Sequence, residues 1–159
     1  MRLKDFNVIE WGISADMPFE LSRKTRLVNV FTILATGTTV PYLFIFFDKS
    51  FELGVIALLC FLALSATWFF NKGRRYHFAK IWLYTVSHIY LFTASSALGE
   101  DSGEYLYLIP VLFGAVLLFE FRERYSLIWV AFLNIFTFLG LELTDYGVFD
   151  TVLSGPEQQ

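Results

Sequence analysis

Apolar residues along the chain gather into five runs separated by short polar stretches: Leu27–Phe47, Leu53–Phe70, Phe78–Leu98, Tyr105–Phe119 and Tyr125–Leu141. Each run holds about 15 to 21 residues, near the length that crosses a ~30 Å hydrocarbon core as a helix. The connections Asp48–Glu52, Asn71–Tyr76, Gly99–Glu104 and Glu120–Arg124 are too short for anything but antiparallel neighbours. The pattern predicts an all-α polytopic membrane bundle of five transmembrane helices in up-down order. No internal repeat and no low-complexity segment interrupts it.

Charge gives the bundle a direction. With the N-terminus placed in the cytoplasm, Arg2, Lys4, Arg23, Lys24, Arg26, Lys72, Arg74, Arg75, Lys80, Arg122 and Arg124 fall on the inner side, and Lys49 alone falls outside. That bias follows the positive-inside rule and predicts an N-in, C-out orientation. Asp48, Glu52, Glu100, Asp101, Glu104, Glu142, Asp145, Asp150 and Glu157 fall outside, and six acids stay inside. The formal charge of −3 is therefore a balance between +5 inside and −8 outside. An inner basic face suits anionic lipid headgroups. Trp68, Trp82 and Trp129 lie near the predicted inner interface, and Tyr105 and Tyr107 near the outer one, as amphipathic rings do.

Residues 1–15 show no periodicity and are expected to be a cytoplasmic tail. Residues 16–146 form the bundle, and 147–159 a polar tail on the outer side. Asp16, Met17 and Pro18 read as a helix start, with a carboxylate N-cap and proline in the first turn. The first 26 residues are mostly polar and the first apolar run is too long for a signal h-region, so that run is expected to be an uncleaved signal anchor. Pro41 in the first span and Pro110 in the fourth are expected to kink their helices and act as hinges. An odd number of spans leaves the C-terminus outside, and the chain is expected to be the front part of something longer.

Polar residues within the spans are the candidates for function. His77, Tyr84, His88 and Ser95 share one face of the third helix by their spacing. Thr36, His88 and Asn134 lie at similar depth in the first, third and fifth spans. Thr36, Tyr84, His88 and Asn134 are therefore the candidate ligand or sensing pocket, facing the bundle interior. The alternative is an interhelical hydrogen bond holding the bundle together. Thr32, Ala35, Thr36, Gly37, Thr38 and Thr39 form a small-residue stretch suited to close helix packing, with Ser65, Ala66 and Thr67 as the facing surface.

Composition adds mainly exclusions. At 159 residues, 56% apolar and 19% aromatic, the chain has room for one bundle and little more. Cys60 is the single cysteine, so an internal disulfide and a CxxC site are impossible. His77 and His88, about 16 Å apart along one helix, cannot be the two axial ligands of one haem. The outer acids Glu100, Asp101, Glu104, Glu142 and Asp145 match no EF-hand spacing and read as solvated loop carboxylates. No cofactor and no metal is expected. HExxH, P-loop, GxSxG and dinucleotide fingerprints are all missing, so no catalytic residue is assigned and the chain is not expected to be an enzyme.

The stretch Ser95-Ser96-Ala97-Leu98-Gly99-Glu100-Asp101-Ser102-Gly103-Glu104-Tyr105-Leu106-Tyr107-Leu108-Ile109-Pro110 resembles part of the N-terminal multi-span membrane sensor modules of bacterial histidine kinases and adenylate cyclases. The Arg26-Leu27-Val28-Asn29 start of the first span and the Phe121-Arg122-Glu123-Arg124 turn also fit, so the resemblance covers residues 22–146. It implies a sensory or regulatory module in the bacterial inner membrane, coupling a signal to a cytoplasmic output absent from this chain. No ligand residue is carried over from it. The expected partners are the lipid bilayer, a second copy as a homodimer, and a fused or separate output domain; nothing points to nucleic acid. The alternative function is a stand-alone integral membrane protein acting as a transport component or partner subunit.

Overall fold

A computed structural model describes residues 7–148, and the regular elements among them are all helical. The main helices are α1 (Phe19–Lys49), α2 (Phe51–Lys72), α3 (Tyr76–Leu98), α4 (Leu108–Leu118) and α5 (Arg124–Leu143); 3-10 turns at Glu100–Ser102 and Glu104–Tyr107 join α3 to α4, and one at Phe121–Glu123 joins α4 to α5. Residues 1–6 of the expected inner tail and 149–159 of the outer tail lie outside the described residues.

Only Ser50 separates α1 from α2. Its hydroxyl accepts from the Leu53 N–H at 3.1 Å and so caps α2. Contacts at both ends make the pair antiparallel: Asn29 meets Asn71 at one end, and the Phe47 ring lies against Gly54 at the other. Trp82 Nε1 donates to the Ala63 carbonyl at 2.7 Å, and Phe70 and Phe78 stack edge to face, so α3 runs back along α2. α5 follows the same direction as α3: Ser126 lies by His77, Gly140 by Phe92, and the Val148 N–H donates to Ser96 Oγ.

α3 is the centre. It touches every other helix and carries the longest run of buried positions, from Ala79 to Ala97. One apolar cluster joins Val28, Leu64, Leu83, Tyr84, Leu118, Phe119 and Val130. A second, farther along, joins Phe46, Leu53, Ala57, Cys60, Tyr90 and Ala94. The outer surface is apolar as well. Leu34, Phe44, Leu59, Phe69, Ile89, Phe113, Val116, Leu117, Ile128, Ile135 and Phe136 are all exposed. Water-soluble monomers do not carry apolar surface on that scale, whereas a hydrocarbon solvent requires it. The polar residues are turned inward: Asn29, Thr32, Thr39, Thr67, Asn71, His88 and Ser95 are buried.

Three helices are long and apolar enough to cross a membrane: α1, α2, and α5 together with its preceding turn (Phe121–Leu143). α3 has the length at 23 residues, but His77, Lys80, Tyr84 and His88 lower its hydropathy. α4 is apolar but only 11 residues long, about 16 Å at 1.5 Å per residue. The run expected as one fourth span, Tyr105–Phe119, is divided between the Glu104–Tyr107 turn and α4. Proline explains the division. Pro110 has no N–H to offer the Leu106 carbonyl, so regular α-helix is not continued back through the turn. Pro110 thus stands in the first turn of α4 rather than at a mid-helix kink. Pro41 does lie inside α1, and the helix continues through it.

The start of α1 also differs from expectation. Pro18, not Asp16, holds the N-cap position, and no side chain caps the helix. The described part of the expected inner tail packs on the bundle. Asn29 Nδ2 donates to the Ile9 and Trp11 carbonyls, both at 2.9 Å, and Tyr76 donates to the Gly12 carbonyl at 2.7 Å. Gly12 has φ +83°, and a Cβ there would lie 2.3 Å from the Asn71 carbonyl oxygen, so only glycine fits.

Candidate functional site

α1 and α4 both lean on α3 but meet each other only sparsely, and a crevice of about 580 Å³ lies between them. Its walls are mostly apolar: Phe31, Leu34, Ile45, Leu64, Leu83, Leu91 and Val111. Gly114 lets α4 approach α3 and α1 closely at the floor, because a Cβ there would stand 3.1 Å from the Tyr84 hydroxyl and 3.6 Å from the Phe31 ring. Exposed Leu34, Ile45 and Tyr107 form the lip, so the mouth opens sideways onto the apolar outer face of the bundle. Pro41 and Pro110 both line it. The size and the few convergent polar groups are those of a small-molecule site.

The polar groups gather at the end away from the Lys/Arg cluster. Tyr42 on α1 donates its hydroxyl to Glu104 Oε1 in the turn ahead of α4, the main polar link across the crevice. Glu104 is only 7% exposed and forms no ion pair among the described residues. Tyr90 is equally buried, and its hydroxyl has no hydrogen-bond partner among the described residues. The Tyr42 and Tyr90 rings stand edge to face with centroids 6.3 Å apart, and Tyr107 completes the lining.

The opposite end of the bundle carries a second, shallower pocket of about 570 Å³ among Lys24, Arg74, Arg75, His77, Lys80, Glu120 and Glu123. Lys24 pairs with Glu120 at 2.8 Å, tying α1 to the turn before α5. Lys80 and His77 pair with Glu123 at 2.5 and 2.8 Å, tying α3 to the same turn. The hydrogen bond from Lys24 holds the Glu120 carboxyl below its usual range. Glu120 and Glu123 also cap each other's backbone, a capping box that starts the last helix. These pairs hold three segments at one end and read as a structural clamp.

The structure divides the sequence candidates. Tyr84 lines the crevice together with Pro41 and Pro110. His88 is 2% exposed, and its Nδ1 lies 2.7 Å from the Tyr84 carbonyl. A carbonyl only accepts, so Nδ1 carries the proton and Nε2 is left without a partner among the described residues. Thr36 is turned away from the crevice and donates to the Thr32 carbonyl at 2.7 Å within its own helix. Asn134 donates to the Leu108 carbonyl at 2.8 Å and so ties α5 to the start of α4. Thr36, His88 and Asn134 do not hydrogen-bond to one another. Equal depth along three helices fixed their level but not their rotation.

Tyr42, Tyr90 and Glu104 were not legible as a set. Glu104 reads in sequence as one more loop acid beside Glu100 and Asp101, which are exposed. The available signal was its place directly before Tyr105-Leu106-Tyr107, at the edge of an apolar run. In the small-residue stretch of α1, Thr32, Thr36 and Thr39 are buried, as is Thr67 of α2, while Gly37 and Thr38 are exposed and a Cβ at Gly37 would meet nothing within 4 Å. Among the described residues no group of three His, Cys, Asp or Glu side chains is placed to hold a metal ion. Comparison with protein-family models, curated proteins and solved structures gives no match to this chain.

Proposed function

We propose that the chain is a sensory or regulatory module of a bacterial inner membrane. A molecule entering the α1–α4 crevice from the lipid changes how α1 and α4 pack on α3. The proposed topology has five spans, with the Lys/Arg-rich end in the cytoplasm. α3 then crosses as the central helix with its polar residues inward, and α4 crosses as a short span with its preceding turn. The charge split and the apolar outer surface support this arrangement.

One observation carries the sensory reading: the proline inside α1 and the proline in the first turn of α4 line the same crevice, next to the Tyr42–Glu104 contact that links the two helices. An occupant there would compete with or reinforce that contact, giving the differential interaction a two-state response requires. The resemblance to multi-span sensor modules agrees with this use, the output being a cytoplasmic domain or partner.

The test is a distance measurement. Spin labels are placed at Val40 and Phe113, both exposed and outside the crevice, in a Cys60→Ala background. Pulsed electron resonance then compares the open crevice with one filled by Ala35→Trp. A shift in the mean distance or in the weights of two populations is expected. Superimposable distributions in a folded protein would remove the coupling and leave a static bundle acting through partners.

A further inference from the structure

The polar end of the crevice is built for a positive charge. Glu104 is a carboxylate 7% exposed, with Tyr42 as its one side-chain partner among the described residues and no cation near enough to pair. A carboxylate in a site walled by hydrocarbon is costly unless a counter-charge reaches it. Beside it the Tyr90 hydroxyl is buried and without a partner among the described residues, and the Tyr42, Tyr90 and Tyr107 rings line the same pocket. Aromatic rings around a carboxylate are the arrangement that recognises alkylammonium groups. Divalent cations favour sites with several carboxylates, and among the described residues no group of three His, Cys, Asp or Glu side chains is placed to hold one.

We propose that the crevice binds a hydrophobic amine: an alkylated ammonium head against Glu104 and the Tyr42 and Tyr90 rings, with an apolar tail along α1 and α4 toward Phe31 and Gly114. The inference rests on the reading of the crevice as a ligand site and adds the chemical class of the ligand. Tail burial supplies most of the affinity by removing apolar surface from water, and the head supplies selectivity. Entry is lateral, since the exposed lip faces the apolar surface of the bundle.

The test uses two diazirine-bearing dodecyl probes of equal chain length, one ending in trimethylammonium and one in a hydroxyl group. The full chain in neutral maltoside micelles is photolabelled over a concentration series, and labelled peptides are mapped by mass spectrometry. The ammonium probe is expected to label crevice peptides saturably and roughly tenfold more effectively than the alcohol. Glu104→Gln should reduce that preference to within about twofold, and Glu100→Gln, on the exposed neighbouring turn, should leave it unchanged. If Glu104→Gln does not fold, the comparison of the two probes on the unaltered chain decides by itself. Equal labelling of the crevice by both probes overturns the amine inference and leaves the crevice as a site for neutral hydrophobes. Labelling confined to the outer apolar faces, in protein that retains its helical circular dichroism, overturns both.

Discussion

At the scale of single residues, the side chains that organise this protein are the polar ones that hydrocarbon forces inward. Asn29 and Asn71 are fully buried, and Asn71 Nδ2 donates to Asn29 Oδ1 at 2.7 Å. Asn29 in turn holds the Ile9 and Trp11 carbonyls, so one amide joins α1, α2 and the N-terminal segment. Replacing Asn29 by Ala leaves a buried amide and two carbonyls without partners. The expected loss is about 2–3 kcal/mol, read as a lower midpoint of thermal unfolding in micelles. Asn134→Ala, which frees one carbonyl at a half-buried site, should cost about 1 kcal/mol. An Asn29→Ala protein as stable as the parent would contradict the latch. Asn29 and Asn71 were not paired with each other in sequence, because each sits at a span end where polar residues are ordinary. Only their matching depth on antiparallel neighbours relates them. His88 shows the converse. Its rarity drew attention, but its Nδ1 proton goes to the carbonyl of its own helix, one turn back.

At the scale of elements, apolar runs located all five helices but not their ends. α1 begins at Phe19, eight residues before its apolar run, because the amphipathic turn with Thr25 and Lys24 continues the same backbone hydrogen bonding. α4 is shorter than its run because hydropathy does not register the missing N–H of Pro110. The two prolines should therefore respond differently to replacement. Pro41 lies inside α1 and denies the Gly37 carbonyl a partner, so Pro41→Ala should stabilise the protein by about 1–3 kcal/mol while stiffening the helix at the crevice. Pro110 lies in the first turn, where its missing N–H costs little, and Pro110→Ala should change stability by less than about 1 kcal/mol. Thermal unfolding of the two variants side by side checks this. The opposite ranking would mean that α4, not α1, carries the strained proline.

At the scale of the whole molecule, charge and hydropathy define two ends and an apolar girdle, while the crevice arises from how α1 and α4 are rotated against α3. That rotation is set by packing at Gly114, Tyr84 and Phe31, which no periodicity in the chain encodes. The central proposal is that all five helices cross the bilayer with the Lys/Arg-rich end in the cytoplasm. α3 and α4 are the helices on which it turns. The most direct measurement is site-directed cysteine labelling of intact bacterial cells with a membrane-impermeant maleimide, in a Cys60→Ala background. Single cysteines replace Arg74 before α3, Asp101 between α3 and α4, and Arg122 between α4 and α5, all exposed positions. Labelling of Asp101→Cys in intact cells is expected, with Arg74→Cys and Arg122→Cys reacting only after the membrane is permeabilised. Arg122→Cys and Asp101→Cys reacting alike from one side would contradict the crossing of α4, and Arg74→Cys reacting like Asp101→Cys would contradict that of α3.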